Sequence, residues 1–406
     1  MTTPMMISPA EADALLRDRM PAYGAIERPI AEAHGHILRA PICADRDLPP
    51  FDRVTMDGIA IAYAAWQNGQ RRFRIEATAS AGRPAPALTQ ADDGCVQVMT
   101  GAICPAGADT IVPYEECVIE GDWATIDEEA RLAPLNYLHS QGSDRRAGDE
   151  ILPVGLRLKS PHLSIAAAVG HAQLQLTAMP SVAVISTGDE LRDVTDSVEP
   201  YQIRSANDHG IRAALLGSGY AEVTCFRVRD DLEETRQLLE RALAEFDVLV
   251  LTGGVSMGKR DFVPAALAAL QVEPVFHKIR QKPGKPMWFG VSPKGQPVFA
   301  LPGNTVSTLV CLHRYVLQAL AVACGQTPAT PITIPLRRAL RFPPPLTGFI
   351  PVRLDWTAEG RVYAEPMETN TSGDFSSLAA SDGFIELPEG DDVFAAGFAA
   401  TYIPWA

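Results

Sequence analysis

The sequence predicts a multidomain α/β plus β protein, in which a three-layer α/β/α sheet domain stands beside a β-rich domain and a small C-terminal β-barrel. Three observations predict it. Between residues 182 and 325, apolar runs alternate with helical stretches, the pattern of a parallel sheet covered on both faces. Residues 51–141 and those beyond Pro328 instead give short strand-like pieces cut by Gly and Pro. A length of 406 residues exceeds what one hydrophobic core serves, at roughly 100–200 residues per domain.

In chain order, Ser8-Pro9-Ala10-Glu11 supplies a hydroxyl N-cap, a proline at the first helical position and a capping-box glutamate, so a helix opens the chain. A second short helix is expected from Pro29 to Gly35, followed by the rigid connector Asp47-Leu48-Pro49-Pro50. Strands are expected at residues 73–77, 96–99 and 110–112, then a helix at 161–169 closed by Gly170. Composition suggests that this helix pairs with the N-terminal ones. Residues 1–43 and 143–177 would then form a discontinuous linker domain around a β-rich domain at 44–142. The sheet domain spans 178–326, with strands at 182–185, 223–228, 248–251 and 298–301. Its helix from Asp231 to Phe246 carries Leu232, Leu238, Leu239 and Leu243 as a core stripe. Residues 327–406, with strands near 349–354 and 384–387, form the barrel.

Composition narrows the function. A net charge of −14 repels nucleic acid and anionic membranes, so neither is an expected partner. The seven cysteines are scattered without a Cys-x-x-Cys pair, which fits reduced thiols. No signal sequence and no run near the roughly 20 apolar residues of a membrane span is evident, placing the protein in the cytoplasm. Eight dispersed histidines and the absence of a Gly-x-Ser-x-Gly elbow argue against a histidine zinc site and a hydrolase triad.

Chemistry gathers where ligands bind an open parallel sheet, beyond the carboxyl ends of its strands. Three loops occupy that place: Ser186-Thr187-Gly188-Asp189-Glu190, Thr252-Gly253-Gly254-Val255-Ser256 and Pro302-Gly303-Asn304. Glycine lets backbone approach an oxyanion, and the hydroxyls of Thr187, Thr252 and Ser256 are candidate donors. Lys278, Arg280, Lys282 and Lys285 crowd four cations into eight residues of an acidic chain, stiffened by Pro283 and Pro286. A solvated edge strand would explain that run in isolation; beside the loops it fits an anion site. Asp57, Glu190, Asp208, Asp230 and Asp261 are loop carboxylates that suit a divalent cation, although Asp230 and Asp261 also suit helix caps. Gly253, Gly258 and Lys259 match P-loop spacing, but Arg260 stands where Mg²⁺ needs a hydroxyl.

Seven blocks carry a resemblance over nearly the whole chain: TMDGIA (55–60), MTGAICPAGADTIVPYE (99–115), ISTGDEL (185–191), IRSAN (203–207), LTGGVSMGKRDF (251–262), KIRQKPGKP (278–286) and LPGNTVS (301–307). In content and order they resemble the MoeA-type molybdopterin molybdenumtransferases, the family that includes the E domain of gephyrin. The resemblance implies four domains, with a MogA/MoaB-like molybdopterin-binding sheet domain, in an elongated homodimer. It implies Mg²⁺-dependent transfer of molybdate to adenylylated molybdopterin with release of AMP, in molybdenum cofactor biosynthesis. A molybdopterin adenylyltransferase and molybdoenzyme maturation factors are the implied partners.

Carried over by motif position, the catalytic set is Asp57, Thr100, Glu190, Asp230, Asp261, Lys278 and Lys282, with Asp57 and Thr100 acting from the partner subunit. Glu190, Asp230 and Asp261 are the implied metal ligands. Thr187, Gly188, Asp189, Gly253, Gly254, Ser256, Lys285, Pro302, Gly303 and Asn304 would bind the pterin substrate. The chain departs from the family's usual residues at Ile59 (Tyr), Thr305 (Pro) and Asp149-Glu150 (Glu-Asp). Two alternatives stay open: a catalytically weak paralogue that binds the pterin or scaffolds partners, and a Mg²⁺-dependent nucleotide hydrolase.

Overall fold

The computed structural model describes residues 6–255, 262–367 and 374–405. They form two compact units: Met1–Ala40, Val154–Lys159 and Gln173–Ala406 make one, and Pro41–Pro153 with Ser160–Ala172 make the other.

In the first unit six strands lie in the order Val223–Val228, Val182–Thr187, Val248–Thr252, Pro297–Leu301, Trp288–Val291, Glu273–His277. The first four are parallel, with Val182 in register with both Val223 and Val248. Every residue of Val182–Thr187 and of Val248–Thr252 is buried, which is why these strands read as unbroken apolar runs. Alternation still decides which face each side chain meets. Val182, Val184, Val248 and Val250 pack with Ile211, Leu312 and Tyr315. Ala183, Ile185, Leu249 and Leu251 pack with Leu239, Ala242 and Leu267 on the opposite face. The expected three layers follow. The sheet is not wholly parallel, because Trp288–Val291 runs antiparallel to both neighbours. That strand and Glu273–His277 go unsignalled in the sequence, since their short apolar stretches abut the basic run.

Local signals set the helix ends. Ser8 Oγ accepts the Glu11 N–H at 3.2 Å and Glu11 Oε2 accepts the Ser8 N–H at 2.7 Å, completing the capping box of Pro9–Arg19. Asp231 accepts the Glu234 N–H at 2.8 Å and caps Leu232–Glu245. Of the expected stripe on that helix, Leu238 and Leu239 are buried, but Leu232 is 44% exposed because burial begins only at Thr235. Residues 29–35 do not form the expected helix. Strand Ala25–Pro29 pairs antiparallel with Gln173–Thr177 and leaves room for only one 3-10 turn, Ile30–Glu32, before Gly35. The helix Ser160–Ala168 groups with residues 41–153, not with the N-terminal helix, whose Ala12 and Leu16 join the sheet core.

The C-terminal strands close into a small barrel. Thr347–Trp356 pairs with Gly383–Leu387 and Val362–Pro366, Gly383–Leu387 with Ala399–Pro404, and Ala399–Pro404 with Ile332–Pro335. A bridge from Leu336 to Ala364 completes the ring. Gln281–Lys282, from the basic run, adds in parallel to the start of Thr347–Trp356.

Among the described residues one helix, Thr305–Ala323, has the length and mean hydropathy of a membrane span, but Ser307, Thr308, His313, Arg314 and Gln318 interrupt its apolar run and 61% of it is buried inside the unit, as in a core helix. Its Arg314 is 16% exposed and bonds Asp13 of the first helix at 2.8 and 2.9 Å and Glu386 of the barrel at 2.8 Å. Removing this cation strands two carboxylates. Arg314→Met should therefore cost about 3–5 kcal/mol in denaturant unfolding. The more exposed Arg236, between Glu233 and Glu240, should cost far less when replaced likewise, because solvent screens its pairs.

The second unit is built on a six-stranded sheet ordered Thr110–Pro113, Gly58–Ile61, Gly94–Val98, Arg72–Ala79, Trp123–Ile126, Cys117–Glu120. Only the Arg72–Ala79 and Gly94–Val98 pair is parallel.

Candidate functional site

A pocket of about 650 Å³ opens at the carboxyl ends of the parallel strands in the first unit. Its wall contains Ser186–Gly188, Glu190, Arg204–Asn207, Asp230, Thr252–Val255, Pro302–Thr305 and the turn bearing Lys282 and Lys285. The three loops expected from the sequence thus converge, and two cations of the basic run join them.

The glycines are required by contact as well as by turning. Gly253 and Gly254 have φ of +88° and +63°, and a Cβ on them would lie 2.6 Å from Thr187 O and 2.7 Å from Thr187 Oγ1. The two glycines therefore let their loop press directly on Thr187. At Gly188 the space a Cβ would occupy is filled by the Glu190 carboxylate, 2.8 Å away.

Asn207 holds the arrangement from behind, and sequence reasoning gave it no role. Its Nδ2 donates to Thr252 Oγ1 at 2.9 Å and to Gly303 O at 2.7 Å. Thr252 in turn donates to Pro302 O at 3.3 Å, so its hydroxyl binds loop to loop and is not the ligand donor expected of it. The signal was present in the block 203–207, whose polar residues had no assigned partner. Three buried polar atoms around the pocket, Ser186 Oγ, Thr187 Oγ1 and Asn207 Oδ1, have no hydrogen-bond partner among the described residues. Leaving such groups unpaired costs about 1–3 kcal/mol each, a cost typically tolerated where a ligand completes the site.

Several expected roles need correcting. Asp230 does not cap the helix, because Asp231 does; Asp230 lines the pocket. Asp189 is absent from the pocket wall: its N–H points to Asp230 Oδ2 at 3.5 Å and its Oδ1 accepts the Asp230 N–H at 3.3 Å. Asp208 is buried and accepts from Ser205 Oγ at 2.9 Å and the His209 N–H at 3.0 Å, a structural role in place of a metal ligand. Lys278 is not in the wall either; its backbone anchors the base of the basic turn, donating to Met287 O at 2.9 Å and accepting from the Ile7 N–H at 3.1 Å. Ser256 and Asp261 lie outside the described residues. Among the described residues no group of three or more His, Cys, Asp or Glu side chains could hold a metal.

Asp57 and Thr100 belong to the second unit and bond each other: the Thr100 hydroxyl and N–H donate to Asp57 Oδ1 at 2.7 and 2.6 Å. The hydroxyl foremost, then the N–H, holds the Asp57 carboxyl below the usual carboxylate range. A depressed value means that this bond's stabilisation is present above the unfolded-state pKa and is lost as pH falls through the folded value. Thr100→Val should raise the Asp57 titration toward the usual carboxylate range, read by carboxyl NMR; an unchanged midpoint would refute the assignment.

No thiol is activated among the cysteines with a perturbed pKa. Burial pushes Cys311 and Cys95 up to about 12 and Cys104 up to about 11, and all seven cysteines are free. Of the departures from the family pattern, Ile59 is wholly buried in the second sheet's core and Asp149 accepts the Arg146 N–H in a turn, whereas Thr305 lines the pocket.

Comparison with known proteins decides the family. The MoeA N-terminal region (domain I and II) matches residues 7–170, a probable molybdopterin binding domain matches 183–322, and the MoeA C-terminal region (domain IV) matches 333–405. A molybdopterin molybdenumtransferase of Synechocystis sp. is 36% identical over 401 residues, covering 98% of this chain and 100% of its own. The chain belongs to the MoeA family. A second relative, the molybdopterin molybdenumtransferase of Staphylococcus epidermidis, is 31% identical over 90% of this chain and 88% of its own. A solved structure of the molybdopterin biosynthesis MoeA protein from Pyrococcus horikoshii OT3 aligns with a TM-score of 0.81 at 25% identity, over 98% of this chain and 100% of that one. The MoeA architecture accounts for the sheet domain, the β-rich region and the barrel found here.

Proposed function

We propose that this chain is a molybdopterin molybdenumtransferase, which inserts molybdate into adenylylated molybdopterin and releases AMP. The observation that carries the reading is the pocket itself, where Lys282 and Lys285 share a wall with glycine loops and with the carboxylates Glu190 and Asp230. Lysines neutralise phosphate and molybdate oxygens, and close backbone at Gly253 and Gly254 supplies a cradle free of side chains. Catalysis of this kind is mainly positioning and electrostatics.

Glu190 and Asp230 fit Mg²⁺, which takes one or two carboxylates together with substrate phosphate oxygens. Bound there, it would withdraw charge from the phosphoanhydride. The site is shared between two subunits in this proposal, with Asp57 and Thr100 supplied by the partner. Unpaired cysteines support a reducing cytoplasm. An adenylyltransferase would deliver the substrate and molybdoenzyme maturation factors would receive the product.

The test is AMP release from adenylylated molybdopterin on adding molybdate and Mg²⁺. Absence of release with the pterin bound would favour a binding paralogue, for which Thr305 in the pocket is the relevant difference. Nucleoside products from ordinary nucleotides without pterin would favour a hydrolase. Sharing has its own test: mixed Asp57→Asn and Lys282→Ala subunits should regain about a quarter of wild-type turnover, since random pairing leaves one intact site in half the dimers.

A further inference from the structure

We propose that Gln281 is a positioning residue that sets the spacing between the two pocket lysines and the Pro302–Asn304 loop. Gln281 is wholly buried within a basic run whose Lys282 and Lys285 are exposed. Its Oε1 accepts the Tyr315 hydroxyl, and its Nε2 donates to Pro283 O at 3.2 Å and to Cys311 Sγ at 3.5 Å. The Cys311 thiol then donates to Gly284 O at 3.6 Å. The two carbonyls held in this way, those of Pro283 and Gly284, lie between Lys282 and Lys285. Gly284, at φ +91°, has no room for a side chain, since a Cβ would lie 2.6 Å from Gln281 Nε2. Below, the Ile279 N–H donates to Lys285 O at 2.9 Å, so the turn is closed at its base and braced from inside.

The brace comes from one helix. Cys311 and Tyr315 sit on Thr305–Ala323, at and within a π-type turn at Leu312–Val316, and the same helix begins at Thr305 in the pocket wall. Gln281 therefore ties the lysine turn to the rod that also ends the Pro302–Asn304 loop. An apolar side chain of similar volume would leave Pro283 O and the buried Tyr315 hydroxyl without the partners that the amide gives them. Neither Gln281 nor Tyr315 reaches the pocket wall, so each acts through Lys282 and Lys285.

The inference rests on the anion-binding reading of the pocket, and its test separates the two. AMP affinity in the presence of Mg²⁺ is measured by calorimetry for the full-length wild type, Gln281→Leu and Tyr315→Phe, with thermal midpoints recorded alongside. Gln281→Leu is expected to weaken AMP binding about tenfold or more, and Tyr315→Phe about threefold, because ångström-scale misplacement of a binding group is enough for such losses. In a Lys282→Ala/Lys285→Ala background, Gln281→Leu should change affinity by less than about twofold, since residues acting through one another are not additive. Wild-type affinity in both single variants overturns the inference, as does an equal loss with and without the lysines, which would mark a general structural role. A wild type that binds no AMP overturns the underlying reading itself.

Discussion

Lys282→Ala is expected to lower AMP release by about 100-fold or more, with no loss of folding. Lys282 is exposed on the braced turn and lines the pocket, so no core contact is lost with it. Removing one preorganised group that meets charge developing in the transition state costs about 10²–10³ in turnover. The loss should fall on kcat/KM, with an unfolding midpoint within a degree or two of the wild type, by roughly the small effect of surface substitutions. Lys285→Ala, on the other side of Gly284, should act in the same direction. Normal turnover in a folded Lys282→Ala protein would remove the basic turn from the chemistry and leave it as a solvated edge.

Gly58→Ala should destabilise the second unit by about 3 kcal/mol or more, a loss typical of overpacking at a site that cannot relax. Gly58 begins the strand Gly58–Ile61, in register with Val98 on one side and Pro113 on the other. A Cβ there would collide with Val112 O, with Val112 C at 2.8 Å and Pro113 Cα at 2.9 Å. These are backbone atoms of a paired strand, so relief requires Thr110–Pro113 to leave the sheet. Gly24→Ala is the matched control: a Cβ there meets nothing within 4 Å, and its effect should stay within about 0.5 kcal/mol. Denaturant unfolding of both variants measures the difference.

The sequence reveals most where burial is two-sided or contacts are local. The strand at Val248–Thr252 is legible because both faces are covered and all five residues are buried. The capping box at Ser8 and Glu11 is legible because its partners are three residues apart. The three loops are legible because strand ends and glycines mark them. What stays hidden depends on distant partners. Asp230 and Asp231 are equally good caps on paper, and only the helix's real start assigns the cap to Asp231. Thr252 looks like a ligand donor until Pro302 O, 50 residues away, accepts its hydrogen bond. Asn207 looks like any helix-start polar residue until Gly303 O, 96 residues on, accepts from it. The strand Trp288–Val291 owes its place to Pro297–Leu301 and Glu273–His277, not to its own short run.

The helix Thr305–Ala323 has a consequence for how the chain is made. A nascent helix of that length and apolarity resembles a membrane anchor, and while uncovered it is open to capture by insertion machinery or to aggregation. Every strand of the sheet it covers lies between residues 182 and 301, ahead of it in the chain. By the time a ribosome releases the helix, its docking surface has already been synthesised, as has the first helix, whose Asp13 receives Arg314. The order of elements along the gene thus limits how long this greasy segment stays without cover.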